Sequence, residues 1–444
     1  MNRKLGKVLW GGDKPGRAVT LGIQHVFAMF GSTVLVPALT GLDPAVTLLC
    51  MGIGTLIFHL ITKGIVPAFM GSSFSFITSI CAVANYCTEN SVANFASYVG
   101  WGIITSGVLY LILSLLVKLL GAKRITSFFP PVVTGCMIII IGMMLAPTAM
   151  NNITNAPDGM LWKYWVVAIS TIVTILIVMF FFRGFIKLIP ILIGIIVGYL
   201  VSMALGLVDL TPVKEASWFA VPKASFFFKG TDMKAVTFAI TMIAPISIVT
   251  FVEHVGDITA NGAVTGHNYI EEPGLHRTLL GCGLASIFSG GMGGPAATTY
   301  SENTGVLAAT RNYNPATLRI AAVFAILLAF IGKVAGVLQS IPAPVMGGVS
   351  VILFGMITSV GLRMLVENKV DFTRSYNLII AGIMLVFGLG LSAGITVGSV
   401  TVSGTAIAAV LGIILAKILP KKDADERKEE KEAQAATAEQ ATQQ

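Results

Sequence analysis

Apolar runs of 18 or more residues recur along the chain from about residue 18 to about residue 418, separated by short polar breaks. A run of that length is what an α-helix needs to cross the hydrocarbon core of a bilayer. The pattern predicts membrane segments at 18–38, 44–62, 67–82, 96–117, 129–147, 162–182, 187–206, 235–256, 277–291, 295–310, 315–338, 343–362, 376–393 and 401–418, with the longest polar break, 207–234, between the seventh and the eighth. Two of them differ from the rest. Segments 67–82 and 295–310 are short, open on Pro67-Ala68 and Pro295-Ala296, and carry Ser72-Ser73-Phe74 and Thr298-Thr299-Tyr300. Each predicts an extended stretch running into a half-helix, whose free N–H groups and positive dipole end face a ligand. Irregular backbone is not tolerated against lipid, so both stretches must line a cavity.

The two halves of the chain echo one another. Gln24-His25-Val26 returns as Glu253-His254-Val255, Gly71-Ser72-Ser73-Phe74-Ser75 as Ala297-Thr298-Thr299-Tyr300-Ser301, and Pro131-Val132 with Gly135 as Pro344-Val345 with Gly348. The shared order predicts a repeat of seven segments. Seven is odd, so the second copy must be inverted in the membrane. Inverted repeats with broken helices mark secondary transporters, whose substrate site lies near the bilayer midplane.

A chain of 444 residues that is 55% hydrophobic and 11% charged cannot be a soluble globule. Its formal charge of +8 alone would point to nucleic acid, but the distribution argues otherwise. With the N-terminus inside, about 23 of the 29 Lys and Arg fall on or near the cytoplasmic side, Lys163, Lys214, Lys223, Lys229 and Lys234 fall outside, and Lys333 lies within a segment. Both termini are therefore expected in the cytoplasm, and no nucleic-acid partner is expected. Lys333 is expected to snorkel toward the outer interface. The basic segment 1–17 has no cleavage-site pattern, so no removable signal peptide is expected. The tail 420–444 is charged and then rich in Ala and Gln, and is expected to be disordered. The five cysteines have neither metal-ligand spacing nor a disulfide framework, so neither metal nor cofactor is expected.

Of the 21 acidic residues only Glu253 and Glu302 fall within the apolar segments, and Asp257 directly follows one of them. Carboxylates are expensive in hydrocarbon, which makes this trio the candidate site. Glu253 and Asp257 are four apart and share a helix face. Asp257 could instead cap a helix end or face cytoplasmic water. Crowded into one low-dielectric cavity, the carboxylates would share a proton, the natural coupling ion. His25 and His254 could relay or brace that proton, or be satisfied packing residues. An enzyme is not expected: there is no paired Ser/His, no His-Glu-x-x-His helix, and only one of the two Asp an aspartyl protease needs. A sulfate-type anion carrier would want basic residues beside the site, and a channel would have no use for buried acids.

These motifs bring the sequence close to a known family. Glu302-Asn303-Thr304-Gly305, four residues, then Thr310-Arg311 resembles the signature of the nucleobase/ascorbate transporters (nucleobase-cation symporter 2), with Gln24-His25 as a second mark. Pro67-Ala68-Phe69-Met70-Gly71-Ser72-Ser73-Phe74, Glu253-His254-Val255-Gly256, Pro273-Gly274-Leu275-His276-Arg277 and Pro344-Val345-Met346-Gly347-Gly348-Val349-Ser350 are similar to the versions in its bacterial uracil permease branch. The resemblance covers roughly residues 15–415.

It implies an all-α polytopic membrane protein of 14 segments in two inverted repeats. A core domain would comprise 18–124 and 235–338, a gate domain 125–206 and 339–419, with 207–234 as an extracellular loop. It also implies proton symport of uracil across a bacterial cytoplasmic membrane by alternating access, commonly as a homodimer. Xanthine or another nucleobase is the alternative substrate. Carried over by position, Glu253 and Glu302 hold the base, Phe74 and Ser301 offer backbone N–H groups to its carbonyls, and Tyr300 and Ser73 border it. Gln24, Thr299 and Asn303 support the site, and Asp257, with Glu253, His254 and His25, handles the proton. Uracil has two N–H donors and two carbonyls, which suits acceptor-only carboxylates beside half-helix donors. At two positions the chain departs from the branch: Asp257 stands where His is familiar, and Ser301 where Gly is usual. If the Ser301 N–H serves the base, its side chain must turn away.

Overall fold

The computed structural model describes residues 14–391, 394–397 and 400–420; the basic stretch before residue 14 and the tail after residue 420 lie outside the described residues. Single turns aside, the chain runs α1 (Pro15–Thr40), α2 (Pro44–Ile61), β1 (Met70–Ser72), α3 (Ile77–Glu89), α4 (Phe95–Leu120), α5 (Pro131–Thr154), α6 (Leu161–Phe181), α7 (Pro190–Ala204), α8 (Met233–Ile243), α9 (Ile246–Thr265), α10 (Leu275–Gly291), β2 (Ala297–Thr299), α11 (Ser301–Thr310), α12 (Pro315–Ala329), α13 (Gly332–Gln339), α14 (Ala343–Glu367), α15 (Ser375–Gly390), β3 (Ile395–Val397), β4 (Val400–Val402) and α16 (Gly404–Ile418). Proline occupies the first turn of α1, α2, α5, α7, α12 and α14, where a helix has no intrahelical acceptor for an N–H and the fixed φ favours the turn. Asp43 caps α2, its Oδ1 accepting from the N–H groups of Ala45 and Val46 at 2.7 and 3.0 Å.

Among the described residues, seven helices are long and apolar enough to cross a membrane, taking α8 and α9 as one, and α7, α12, α15 and α16 are shorter apolar helices. Three boundaries differ from those read off the sequence. The segment expected at 235–256 is two helices meeting at Pro245, and the second runs on to Thr265, where Gly266 (φ 73°) ends it in the left-handed conformation. Asp257 therefore sits within a helix and not at its end. The segment expected at 315–338 breaks between α12 and α13, where Phe219 of the central loop pairs with Ile331 as an isolated bridge. Lys333, at this break, donates its Nζ to the carbonyls of Val213 and Lys214 at 2.6 and 3.2 Å, so it is anchored to that loop. Before α16, the short hairpin β3–β4 takes up what the apolar pattern had assigned to the start of the last segment.

Packing falls into two groups. α5 lies along α14, α6 beside α7 and α15 beside α16, sharing one apolar core that includes Val133, Ile140, Ile175, Val349, Phe354, Met384 and Ala408. α4 lies along α10 and α12 along α2, and their cores hold Phe58, Cys282 and Phe251, Met29 and Leu318, and Ile80 and Ile243. The α4–α10 seam is a small-residue crossing of the kind membrane helices use to approach closely. A Cβ at Gly107 would meet the Gly283 carbonyl at 2.8 Å, and one at Gly290 the Gly100 carbonyl at 2.8 Å. Leu35, Val36, Ile77 and Val249, from the second group, insert into the core of the first.

Within the second group runs the feature that organises the site. β1 and β2 pair antiparallel, Met70 opposite Thr299, Gly71 opposite Thr298 and Ser72 opposite Ala297. Backbone bonds from Tyr300 N–H to the Phe69 carbonyl (3.0 Å) and from Ser73 N–H to the Ala296 carbonyl (2.9 Å) extend the ladder at both ends. Each strand is also tied to a neighbouring helix: the Met70 N–H donates to Thr55 Oγ1 on α2 (2.9 Å), and the Ala297 N–H to Ser286 Oγ on α10 (3.1 Å). Backbone groups inside a membrane protein must find partners, and these two hydroxyls supply them.

Candidate functional site

Both strands end the same way. Ser73 (φ −75°, ψ 125°) and Tyr300 (φ −102°, ψ 120°) are extended, and the next residues, Phe74 and Ser301, are the first of helical segments. First-turn N–H groups have no intrahelical acceptor, and among the described residues those of Phe74 and Ser301 have no other backbone acceptor. Two helix N-termini thus lie beside the strand crossing with N–H groups that no backbone carbonyl takes up.

The three carboxylates gather here, each held by hydroxyls. Ser32 Oγ on α1 donates to Glu302 Oε1 at 2.7 Å. Ser75 Oγ, just after β1, donates to Glu253 Oε2 at 3.0 Å. Asp257 accepts twice, from Thr299 Oγ1 at Oδ2 (2.9 Å) and from Ser301 Oγ at Oδ1 (2.8 Å). The second oxygen of Glu253 and of Glu302 has no side-chain donor among the described residues, and no Lys or Arg there lies within ion-pair distance of any of the three. Two carboxylates, each with one oxygen steadied by a serine, lie at the same strand crossing as two helix N-terminal donors: a complement for a flat solute with alternating N–H and C=O groups.

The aromatic pair closes one side. The Tyr300 and Phe74 rings stack with centroids 6.3 Å apart and planes 13° from parallel. The Tyr300 hydroxyl donates to the Ser72 carbonyl at 2.9 Å and lies 3.1 Å from Ser72 Oγ, which fixes the ring against β1. Gly71 gives the ring its space, since a Cβ there would overlap the outer atoms of the Tyr300 ring.

Other residues singled out in the sequence lie around this centre. Ser73 is fully buried, and its hydroxyl has no protein partner among the described residues. Asn303 Nδ2 donates to the His25 carbonyl at 3.2 Å and lies 3.1 Å from His25 Nδ1, so this pair braces α11 against α1. Gln24, next to His25, leaves its buried Oε1 without a protein donor. His254 turns from the carboxylates toward α10, its Nε2 2.9 Å from Thr278 Oγ1. Ser32 and Ser75 went unread. The signals were slight: a polar Ser32-Thr33 pair in a mostly apolar stretch of helix, and the last residue of the repeated Gly71–Ser75 block.

The site lies where the two helix groups meet. Leu35, Ile77 and Val249, which cross into the other core, stand within one turn of Ser32, Ser75 and Glu253. A small cavity beside Ser75, bounded by Thr78, Ser79, Met144, Ser403 and Thr405 of both groups, has room for roughly one water.

Comparison with known proteins bears on the family and the fold. A family model described as a permease family matches residues 16–397. The uracil permease of Bacillus caldolyticus is 44% identical over 414 residues, 92% of this chain and 94% of that protein. The uracil permease of Bacillus subtilis (strain 168) is 43% identical over 429 residues, 95% of each. Among solved structures, the transmembrane domain of a cyanobacterium bicarbonate transporter, BicA, superposes with a TM-score of 0.62 at 15% identity, covering 90% of this chain and 96% of that one. At that identity the likeness concerns the fold alone. This chain is a multi-pass membrane protein and belongs to that permease family, in the nucleobase-cation symporter 2 group, alongside the bacterial uracil permeases.

Proposed function

We propose that the protein imports uracil together with a proton across the bacterial cytoplasmic membrane, as a secondary transporter working by alternating access. The observation that carries this is the donor and acceptor pattern at the strand crossing. Glu253 and Glu302 each keep one oxygen without a side-chain donor among the described residues, and Phe74 and Ser301 each offer an N–H without a backbone acceptor there. Uracil needs that set, two acceptors for its N–H groups and donors for its carbonyls. An anion would meet three carboxylates and no cation, which disfavours it. The relatives' name, uracil permease, supports the same substrate.

The proton resides within the carboxylate cluster. Three carboxylates without a cationic partner in a low-dielectric cavity do not all stay charged, so one proton is shared among them, each staying ionised most of the time, and its loading is linked to loading the base. His25 and His254, whose rings are engaged with Asn303 and Thr278, stand behind that cluster as braces.

Fourteen segments in two inverted repeats describe the architecture in this reading. The matched pairings support it: α4 with α10 answers α12 with α2, α6 with α7 answers α15 with α16, and Thr55 on β1 answers Ser286 on β2. A core of 18–124 and 235–338 would carry the base past a gate of 125–206 and 339–419, a reading that the division of apolar cores supports, with Leu35, Val36, Ile77 and Val249 crossing it. Both termini would lie in the cytoplasm, and a homodimer is the working assembly.

Uptake of radiolabelled uracil into vesicles, with and without an inward proton gradient, tests the proposal. Uracil should accumulate above the external concentration only with the gradient. Accumulation that survives collapse of all ion gradients would rule out symport.

A further inference from the structure

Helix α9 clasps both strand-to-helix junctions with carboxylates one turn apart. Glu253 takes Ser75 from the first junction, and Asp257 takes Thr299 and Ser301 from the second. The two grips are unequal. Glu253 gives one oxygen and keeps one, whereas both oxygens of Asp257 are occupied by hydroxyls of a single junction. Those hydroxyls flank Tyr300: Thr299 is the last residue of β2 and Ser301 the first of α11. Tyr300 itself is pinned by its N–H to the Phe69 carbonyl and by its hydroxyl to the Ser72 carbonyl. The junction that aims the Ser301 N–H and leads into Glu302 is thus anchored to β1 on one side and to α9 on the other.

We infer that Asp257 is a positioning residue for substrate binding, with Ser301 as its partner: it fixes the start of α11 through two hydroxyls and does not contact the base. This rests on the reading of the crossing as the uracil site. Two donors on one carboxylate require both of its oxygens to accept, which an ionised Asp does and an Asn, with one acceptor oxygen, does not. The Ser301 side chain accordingly serves the protein while its backbone N–H serves the ligand. Asp257 and Ser301 act as one unit, and losing either should release the same junction.

Equilibrium uracil binding to purified protein, alongside thermal midpoints, tests this with Ser301→Ala, Asp257→Asn, their combination, and Ser301→Thr. Loss of a hydrogen bond to a charged group should raise the Kd about tenfold in Ser301→Ala and at least about tenfold in Asp257→Asn. The combination should be no weaker than the worse single variant, because the second change removes a contact already lost. Ser301→Thr, which keeps the hydroxyl, should stay within about threefold of wild type, a rescue that a general packing defect would not show. Wild-type affinity in Ser301→Ala, or a double variant whose loss is the product of the two singles, would overturn the inference. Should Asp257→Asn not fold, the contrast between Ser301→Ala and Ser301→Thr decides alone. A wild type that binds no uracil would instead sink the substrate reading, a result distinguishable from additive losses in a protein that does bind.

Discussion

Glu302→Gln should weaken uracil binding by about a hundredfold while leaving the folded protein intact, and Glu253→Gln should do the same. The reason lies in the serines. Ser32 donates to one oxygen of Glu302 and Ser75 to one of Glu253, so each carboxylate accepts on both sides. A glutamine has one acceptor. If its carbonyl faces uracil, its NH2 meets a serine hydroxyl that must reverse from donor to acceptor; if its carbonyl faces the serine, its NH2 meets a uracil N–H. Either arrangement leaves a buried donor unpaired and loses a charge-assisted bond, together about 3 kcal/mol. Isothermal titration with uracil, with thermal midpoints as a control for folding, measures it. Near wild-type affinity in either variant would remove that glutamate from contact with the base.

Gly71→Ala should be the most damaging single methyl group in the chain. The added Cβ would overlap the outer atoms of the Tyr300 ring, and both sides are tethered. β1 is paired with β2 on one edge and tied to Thr55 on α2, while Tyr300 is held at both its N–H and its hydroxyl. Overpacking at so constrained a point should destabilise by about 3 kcal/mol or more and abolish uptake. Shortening the ring as well, in Gly71→Ala with Tyr300→Ala, should restore much of the thermal midpoint without restoring uptake. A Gly71→Ala protein with unchanged midpoint and uptake would mean that Tyr300 does not lie on β1 in the working protein.

The membrane class and the candidate carboxylates were legible because hydrocarbon imposes strict terms: long apolar runs stand out, and so do acids inside them. The two broken segments were legible from their prolines and their polar cores, Ser72-Ser73 and Thr298-Thr299. Their pairing was not, since a three-residue ladder between strands more than 200 positions apart leaves no trace in either stretch. Ser32 and Ser75 were hidden for another reason. Hydroxyls in membrane helices commonly bond their own backbone, as Thr40 does with the Val36 carbonyl, and nothing local distinguishes those that reach a carboxylate. The break at Pro245 was visible as a proline, but the continuation of α9 to Thr265 runs past where apolar periodicity fades, which left Asp257 apparently at a helix end. Most instructive are the two departures from the family resemblance. Asp257 and Ser301 looked like independent oddities in the sequence, yet they are hydrogen-bonded partners at 2.8 Å. A single sequence can show that two residues are unusual but not that they meet.

Coupling of uracil to protons is tested most directly by proton movement that uracil itself drives. Protein reconstituted into vesicles holding a pH-sensitive dye, with no imposed gradient, should acidify the lumen when uracil is added outside, and Glu302→Gln should reduce the response to background. Entry of radiolabelled uracil into the same vesicles with a flat internal pH would contradict symport.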